Sequence, residues 1–453
     1  MSDFDKNDDA IKDDAIKDDA INDDAIKDDA IKDDTIKDDT IKDDAIKDDT
    51  IKDDAIKDDT IKDDAIKDDA IKDECDEISS WDDLPDVKQE LLRGIYGYGF
   101  ENPSPIQKRG IIPLFKQKDV IAQAQSGTGK TGCFTIGTLQ RIDISSLTTQ
   151  AIIISPTREL SIQTKNVFDS IGSMMKGLTT HLLIGGTSTD SDIQTLSSSN
   201  PHILIGCPGR IHDMMRRRKL NLKSCKIIVV DEADEMLSQG FKEQIYDIFQ
   251  YLPRDVQVAL FSATLPIEIT GLTEKFMRNP VKILVKNEQL TLEGIDQFYV
   301  ALNNDDEKYE ALKDIYGTIS VSQCIIYCNS IHRVQNLYNA MISDDFSVGQ
   351  IHSNIDKLER TKNYNDFISG KTRVLISTNL TARGIDVQQV SSVINFDVPK
   401  GVETYLHRIG RSGRWGRKGM AINFVTKFDV TNIRSIEQHY ATEIKELPAN
   451  IVV

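Results

Sequence analysis

Residues 122–131 are the stretch of this chain whose residue types and spacing best suit phosphate chemistry. They read Ala-Gln-Ala-Gln-Ser-Gly-Thr-Gly-Lys-Thr and follow the apolar run 120–122, as a loop between a strand and a helix does. Backbone N–H groups in such a loop face an anion. In the P-loop pattern, Lys130 reaches the outer phosphates of a nucleotide and the Thr131 hydroxyl binds Mg²⁺. Ala124 stands where that pattern has its first glycine, and an ordinary glycine-rich turn is the alternative interpretation.

A second, acidic cluster suits the same chemistry. The apolar run 227–230 ends in Asp231, a suitable carboxylate for Mg²⁺, and Glu232 beside it suits a base that activates water. A solvated acidic turn is the alternative. Polar clusters also follow apolar runs at 156–159, 207–210 and 262–264. Because open α/β sheets bind ligands at the carboxyl edge of their strands, these clusters predict one site at one edge.

Two α/β units are expected to position these residues. In the first unit, helical patterns such as 159–175 and 241–251 separate apolar runs. The predicted strands of this unit end at Ala122, Ser155, Gly206, Val230 and Phe261, and those of the second unit end at Cys328, His352, Ser377, Phe396 and Val425. Each alternation predicts a parallel sheet covered on both faces. We expect a first domain at 78–285, a linker at 286–294 and a second domain at 295–453.

Residues 1–77 differ in composition from the rest of the chain. They hold 32 acidic residues and 13 lysines, whereas the remaining chain has 41 acidic and 42 basic residues. From 8 to 72 they repeat Asp-Asp-Ala/Thr-Ile-Lys, a period that collects the isoleucines on no single face of a helix or strand. We expect a disordered tail, because this composition buries too little to offset the entropy of ordering. A square β-solenoid and a transient charged helix are the alternatives.

The rest of the chain is nearly neutral, so its basic residues can still cluster into a surface that binds nucleic acid. The N-terminus has no apolar segment of the signal-peptide type, and no apolar run approaches about 18 residues. The six cysteines include no Cys-x-x-Cys pair, which predicts reduced thiols rather than a zinc site. We therefore expect a protein of the cytoplasm or nucleus with no membrane contact.

The motifs, taken in order, resemble those of the DEAD-box RNA helicase family, whose name is spelled by residues 231–234. The resemblance covers residues 80–453. It implies two RecA-like domains, ATP and Mg²⁺ as cofactors, RNA as a partner, and ATP hydrolysis that separates short duplexes locally.

The same resemblance assigns residues to the nucleotide. Trp81, where phenylalanine is usual, and residues 99–107 match the adenine-reading element, in which an aromatic ring stacks on the base beside a glutamine amide. Residues 407–414 match the arginine-finger motif. The implied nucleotide-binding residues are Trp81, Phe100, Gln107, Ser126, Gly127, Thr128, Gly129, Lys130, Thr131, Gly384 and Asp386. The implied catalytic residues are Lys130, Asp231, Glu232, Arg411 and Arg414, with Thr131 and Asp231 as metal ligands.

RNA contacts and coupling residues are also implied by the resemblance. Amides, hydroxyls and guanidinium groups suit phosphates and 2′-hydroxyls, so binding without sequence preference is expected. The implied RNA-binding residues are Pro156, Thr157, Arg158, Gly185, Gly186, Pro208, Gly209, Arg210, Asn329, Arg360 and Thr378. The residues implied to couple the nucleotide site to strand separation are Ser262, Thr264, Asp234, His407 and Arg408.

Four positions depart from the family pattern. Cys207 stands for threonine, Asn379 for aspartate, Lys357 for glutamine, and residues 353–354 read Ser-Asn where Gly-Asp is usual. Because a thiol is a weak donor, the departure at Cys207 places its RNA contact in question.

Within the family, the chain most resembles the eukaryotic initiation factor 4A group, through residues 91–96, 231–237 and 436–438. Cys328 and Ser412 resemble its nuclear, exon-junction paralogue slightly more. The resemblance implies a monomer that works with scaffold-type protein partners, in translation initiation or nuclear RNA processing. An RNA clamp held by partner proteins and an inactive RNA-binding scaffold are the alternatives, and intact Lys130 and Glu232 argue against the scaffold.

Deleting residues 1–77 tests whether the acidic tail competes with RNA. If the tail acts as a polyanion near basic residues, the truncated protein should bind single-stranded RNA more tightly at low salt, and the gap should close as salt screens the charges. Affinities of both proteins across a salt series measure this. Superimposable curves would show an inert tail.

Overall fold

Two parallel β-sheets carry the described part of the chain. The structure, a computed structural model, describes residues 77–125, 127–238, 241–265, 267–284, 294–318, 323–382, 390–412 and 418–448. These residues belong to one compact unit that spans 71–453. The predicted tail lies outside the described residues except for Glu77, and so do residues 286–293 of the predicted linker.

The first sheet has the strand order β3-β4-β2-β5-β6-β1-β7, and all its pairings are parallel. This order places the carboxyl ends of β5, β6 and β1 side by side. The strands are β1 (Val120–Gln123), β2 (Ala151–Ile154), β3 (Thr180–Leu183), β4 (Ile203–Gly206), β5 (Ile227–Asp231), β6 (Gln257–Ser262) and β7 (Val281–Leu284).

Helices cover both faces of this sheet. Strand residues alternate between two apolar clusters, so that Ile153 and Val229 pack on one face while Ile152 and Val230 pack on the other. The first face is covered by α1 (Gln89–Gly97), α2 (Pro105–Phe115), α3 (Lys130–Arg141) and α4 (Arg158–Ile171). The second face is covered by α5 (Thr189–Ser199), α6 (Pro208–Arg216), α7 (Ala233–Ser238), α8 (Lys242–Gln250) and α9 (Ile267–Phe276).

The second sheet repeats this architecture with the order β10-β11-β9-β12-β13-β8-β14. Its strands are β8 (Ile295–Ala301), β9 (Cys324–Tyr327), β10 (Val348–Ile351), β11 (Val374–Ser377), β12 (Ser392–Asn395), β13 (Gly419–Val425) and β14 (Lys445–Glu446). Its helices are α10 (Glu307–Thr318), α11 (Ile331–Ser343), α12 (Lys357–Ile368), α13 (Val402–Ile409) and α14 (Val430–Tyr440). Both halves are RecA-like, as the resemblance implied.

All ten predicted strands are present, and their ends lie within one residue of the predicted positions. The structure adds β3, β7, β8 and β14. Three of these are edge strands, and their partly exposed residues do not form the apolar runs that identified the buried strands. Among the described residues, no helix is long and apolar enough to span a membrane.

Candidate nucleotide site and nucleic-acid interface

The loop after β1 has the backbone of a phosphate-binding loop. Gly127 and Gly129 have φ angles of 80° and 99°, in the left-handed region that favours glycine. A Cβ on Gly129 would lie 2.7 Å from Ser104 Oγ and 2.8 Å from Gln107 Nε2. Ala124 needs no such freedom, because its N–H extends the strand pairing to the Ser262 carbonyl oxygen at 3.0 Å. The missing first glycine therefore leaves the loop intact.

Lys130, at the start of α3, meets the acidic cluster at the end of β5. Its Nζ donates to Glu232 Oε1 at 3.3 Å, and both side chains are buried. The backbone N–H of Glu232 donates to Asp231 Oδ1 at 3.0 Å. Burial, reinforced by the charge of Glu232, raises the pKa of Asp231 well above its usual range. Lysine and carboxylates predicted to act together are therefore in contact.

Glu232 has a φ angle of 51°, which is uncommon for a residue with a side chain. This conformation turns the chain sharply after β5, so that Asp231 and Glu232 both stay at the strand end. The paired contacts with Lys130 and Asp231 stabilise the turn.

The adenine-reading element packs against the same loop. Gln107 Nε2 donates to the Gly129 carbonyl oxygen at 3.1 Å, and Gln107 Oε1 accepts from Ser104 N–H at 2.8 Å. A Cβ on Gly132 would lie 2.6 Å from Gln107 Nε2 and 2.8 Å from Phe100 Cε2. This element is thus tied to the phosphate loop, and half-buried Phe100 remains its predicted stacking surface.

The prediction that Trp81 contacts the adenine needs a correction. Its side chain is fully buried and stacks on Phe100, with ring centroids 6.1 Å apart. A base approaching this surface meets Phe100 first, so the buried position does not support direct stacking of Trp81 on adenine. Trp81 instead supports Phe100 from within the apolar core.

A hydrogen-bonded cluster joins the acidic motif to β6 and to the second domain. Asp234 N–H donates to Ser262 Oγ at 3.2 Å, and Thr264 Oγ1 donates to Asp234 Oδ2 at 2.8 Å. His407 Nε2, on α13, lies 3.3 Å from the same Asp234 oxygen. Four of the five residues expected to couple the nucleotide site to strand separation therefore lie in one cluster. Their role in coupling stays a prediction.

Arg408, the fifth, is the centre of a different cluster. It is fully buried and donates to Asn379 Oδ1 at 2.6 and 2.8 Å, to Asn329 Oδ1 at 2.7 Å, and to Asn395 Oδ1 at 3.1 Å. It also donates to the Asp397 carbonyl oxygen at 2.7 Å. Burial lowers the pKa of Arg408 to about 10, so it stays charged at neutral pH. The departure at Asn379 thus presents an amide to this cation where the family has a carboxylate.

Six of the eight predicted RNA residues of the first domain share one groove with Arg360 of the second. The groove is lined by Pro156, Thr157, Arg158, Gly185, Cys207, Gly209, Arg210, Phe241, Arg360 and Leu380. Arg360 pairs with Glu159, so an ion pair links α12 to α4 across the groove. Phe241 and Leu380 were missed, because single apolar residues at the start of α8 and in a short 3₁₀ helix carry no motif.

Some predicted RNA residues use their side chains within the protein. The Asn329 amide donates to the Val398 carbonyl oxygen at 2.8 Å and accepts from Arg408. Thr378 caps the short 3₁₀ helix Asn379–Thr381. Cys207 Sγ lies 3.6 Å from Ser161 Oγ, and burial raises the pKa of this thiol to about 11, so it is neutral.

The departure at Lys357 lies against this groove. A Cβ on Gly186, whose φ angle is 96°, would lie 2.5 Å from Lys357 Cδ and 2.7 Å from Arg158 Nη1. An exposed lysine of the second domain therefore reaches the glycine pair of the first domain, Gly185 and Gly186.

The remaining predicted nucleotide residues include four that lie outside the described residues: Ser126, Gly384, Asp386 and Arg414. Arg411 is buried, and its Nε donates to the His407 carbonyl oxygen at 3.3 Å.

Two parallel RecA-like sheets, a phosphate loop and an acidic cluster in contact with the second domain define a two-domain nucleotide-binding protein. The model of the DEAD/DEAH box helicase family matches residues 104–271, and the model of the helicase conserved C-terminal domain matches residues 307–416. The chain belongs to the DEAD-box helicase family.

Known proteins agree with this assignment. The chain is 52% identical over 376 residues to the ATP-dependent RNA helicase eIF4A of Phaeosphaeria nodorum, covering 83% of this chain and 94% of the relative. S. cerevisiae Dbp5 bound to RNA and ADP BeF3 is 34% identical, with a TM-score of 0.75, covering 82% of this chain and 95% of Dbp5. A Dbp5 variant bound to Nup159, Gle1, IP6 and ADP is 33% identical and covers 81% and 96%, but its TM-score is 0.58. The overall structure thus matches the RNA-bound form better.

Replacing Asn379 with aspartate should stabilise the protein. An exposed carboxylate beside buried Arg408 gains a charged hydrogen bond at little desolvation cost, and we expect a gain of about 1 kcal/mol in the free energy of unfolding. Arg408 depresses the pKa of the new carboxyl, so the gain should be present above its unfolded pKa near about 4 and be lost as pH falls through the folded value.

Urea unfolding at neutral pH measures this gain, with Asn365→Asp on exposed α12 as the control. Equal stability of Asn379→Asp and the wild type would show that the oxygens of Asn329, Asn379, Asn395 and Asp397 already satisfy the donors of Arg408.

Proposed function

We propose that the chain is an ATP-dependent RNA helicase of the eIF4A type, which binds single-stranded RNA without sequence preference and separates short duplexes locally. One observation carries this proposal: the acidic motif contacts the phosphate loop through Lys130 and the second domain through His407. A change at the γ-phosphate therefore has a direct route to the surface between the domains. The name and activity of the eIF4A relatives support the same function.

The first domain supplies the residues for hydrolysis. Backbone N–H groups around Gly127 and Gly129 would bind phosphates, and Lys130 would exchange its contact with Glu232 for phosphate oxygens. Glu232, freed of that contact, would accept a proton from the attacking water. Arg411 and Arg414 of the second domain would stabilise the charge that develops on the γ-phosphate.

Asp231 and Thr131 fit a Mg²⁺ site. A buried carboxylate and a hydroxyl are hard oxygen ligands, and Mg²⁺ commonly takes few protein ligands and completes its shell with water and phosphate oxygens. Among the described residues, no group of three or more His, Cys, Asp or Glu side chains could hold a metal by itself, which agrees with a site completed by nucleotide. The ion would neutralise phosphate charge.

Arginine side chains support RNA binding at the groove. Within the described residues, Nε of Arg158 and Nε of Arg360 are buried with no hydrogen-bond partner. Buried donors of this kind cost free energy unless a ligand accepts from them, and phosphate oxygens do so well. The groove also takes residues from both domains, so RNA bound there would favour the closed arrangement.

We also propose a role in translation initiation, to which the name of the eIF4A relatives points, and a monomer of the cytoplasm or nucleus. Partner proteins are proposed because Dbp5 has been solved with Gle1 and Nup159.

Glu232→Gln tests the chemistry. ATP turnover should fall by about 10²–10⁴-fold, because the base is lost. ATP affinity should hold or rise, because Lys130 loses its buried anionic partner and becomes available to phosphate. RNA-stimulated ATPase and nucleotide binding measure the two effects, with exposed Glu243→Gln on α8 as the control. Turnover like that of the wild type would remove Glu232 from its role.

Lys357→Gln tests the groove. If the lysine beside Gly186 contacts an RNA phosphate, restoring glutamine should lower the slope of log affinity against log salt by about 0.7, the value for one phosphate contact on single strands. The effect should appear with an ATP analogue bound, since that state brings the domains together. Lys282→Gln, an exposed lysine on β7, removes the same charge elsewhere and should leave the slope unchanged. Identical slopes for the two variants would contradict the contact.

A further inference from the structure

Arg210 differs from Arg158 and Arg360 of the groove in the hydrogen-bond partners of its guanidinium nitrogens. It lies in the first turn of α6, and its Nη1 donates to Asp192 Oδ2 and, at 3.3 Å, to Thr187 Oγ1. Its Nη2 donates to the Thr187 carbonyl oxygen at 2.9 Å. Both terminal nitrogens are therefore engaged by the loop after β3 and by α5. Arg360 also pairs one terminal nitrogen with Glu159, but among the described residues Nε of Arg158 and Nε of Arg360 are buried without a partner.

Asp192 is the anion that holds Arg210. It is 4% exposed, in the first turn of α5, and it also accepts from Thr187 Oγ1 at 3.3 Å and contacts His181 Nε2 at 3.3 Å. Burial lowers the pKa of His181, so this histidine is neutral near pH 7 and Arg210 supplies the positive charge that balances Asp192. A carboxylate this close to an RNA groove repels phosphate. The presence of Asp192 is explained if this carboxylate holds the loop after β3 in position.

The loop after β3, which Asp192 holds in position, contains the glycine pair. Thr187 directly follows Gly186: its carbonyl and hydroxyl oxygens accept from Arg210, and its hydroxyl lies 2.9 Å from the Ile184 carbonyl oxygen and 3.3 Å from Asp192 Oδ2. The side chains of Arg158 and Lys357 both lie against Gly186, where an added Cβ would meet Arg158 Nη1 at 2.7 Å and Lys357 Cδ at 2.5 Å. The position of this backbone therefore depends on Thr187.

We infer that Arg210 is a positioning residue: with Asp192 it fixes Thr187 and so sets the backbone of Gly185 and Gly186 for RNA, and it does not itself neutralise a phosphate. This rests on the proposed RNA-binding function and assigns a role within it. It also corrects the sequence-based expectation that Arg210 contacts RNA directly.

The variant Asp192→Asn gives results of opposite sign for the two roles. If Arg210 bound phosphate, loss of its anionic partner would leave RNA affinity unchanged or tighter. If Arg210 positions the loop, the weakened ion pair should reduce RNA affinity, by about tenfold for one charged hydrogen bond. Asp213→Asn is the matched control, because it removes a half-buried carboxylate of α6 that pairs with Arg216 and Arg217, away from the loop.

The salt dependence provides a second readout. Arg210→Gln should weaken RNA binding with an unchanged slope of log affinity against log salt, whereas Arg158→Gln should lower that slope by about 0.7. RNA-independent ATP binding should match the wild type in both Asp192→Asn and Arg210→Gln. Should Asp192→Asn fail to fold, Thr187→Val removes the hydroxyl contacts with Arg210, Asp192 and the Ile184 carbonyl oxygen, keeps the contact of Arg210 with the Thr187 carbonyl oxygen, and should weaken RNA binding several-fold at the same slope.

Each arm can overturn the inference. Unchanged or tighter RNA binding by Asp192→Asn or Thr187→Val, or a lower slope in Arg210→Gln, would make Arg210 a direct phosphate contact. A wild-type protein that binds no RNA would overturn the proposed function as well, and so the two failures are distinguishable.

Discussion

The burial of three acidic side chains beside one lysine is the constraint on which the rest of the site depends. Asp231, Glu232 and Asp234 are each at most 3% exposed, and Lys130 is 6% exposed. Buried carboxylates are costly unless they are paired or hydrogen-bonded. The structure meets this need with Lys130 on Glu232, a backbone N–H on Asp231, and Thr264, His407 and the Glu235 N–H on the Asp234 carboxylate. Each compensating group comes from a different element, so neutralising the cluster also fixes how the strands, α3 and α13 are arranged.

This compensation also explains how a nucleotide could be sensed. Lys130 cannot serve Glu232 and a phosphate group equally, so arrival of phosphate changes the charge balance of the whole cluster. Asp234 sits in the same cluster and contacts His407 of the second domain. On the proposed function, the physical link between chemistry and domain closure would be a redistribution of hydrogen bonds among a few buried groups.

The sequence predicted the architecture and the places of the phosphate loop and the acidic motif at strand ends, because both follow from strong local signals. Buried parallel strands are continuous apolar runs, and the loop at 122–131 and the acidic motif at 231–234 directly follow two of them. Edge strands such as β3 and β7 carry no comparable signal. The sequence could not show that Trp81 lies beneath Phe100, or that Arg210 faces Asp192, since burial and pairing of a side chain depend on residues far away in the chain.

The buried hydrogen bonds around Arg408 limit how parts of the second domain can move. Its guanidinium joins residues that follow β9, β11 and β12, namely Asn329, Asn379 and the segment Asn395 to Asp397, and its planar face lies 5.2 Å from the Tyr327 ring centroid. These loops cannot shift independently without breaking charged hydrogen bonds in a buried place. The ends of β9, β11 and β12 therefore form one unit that moves together.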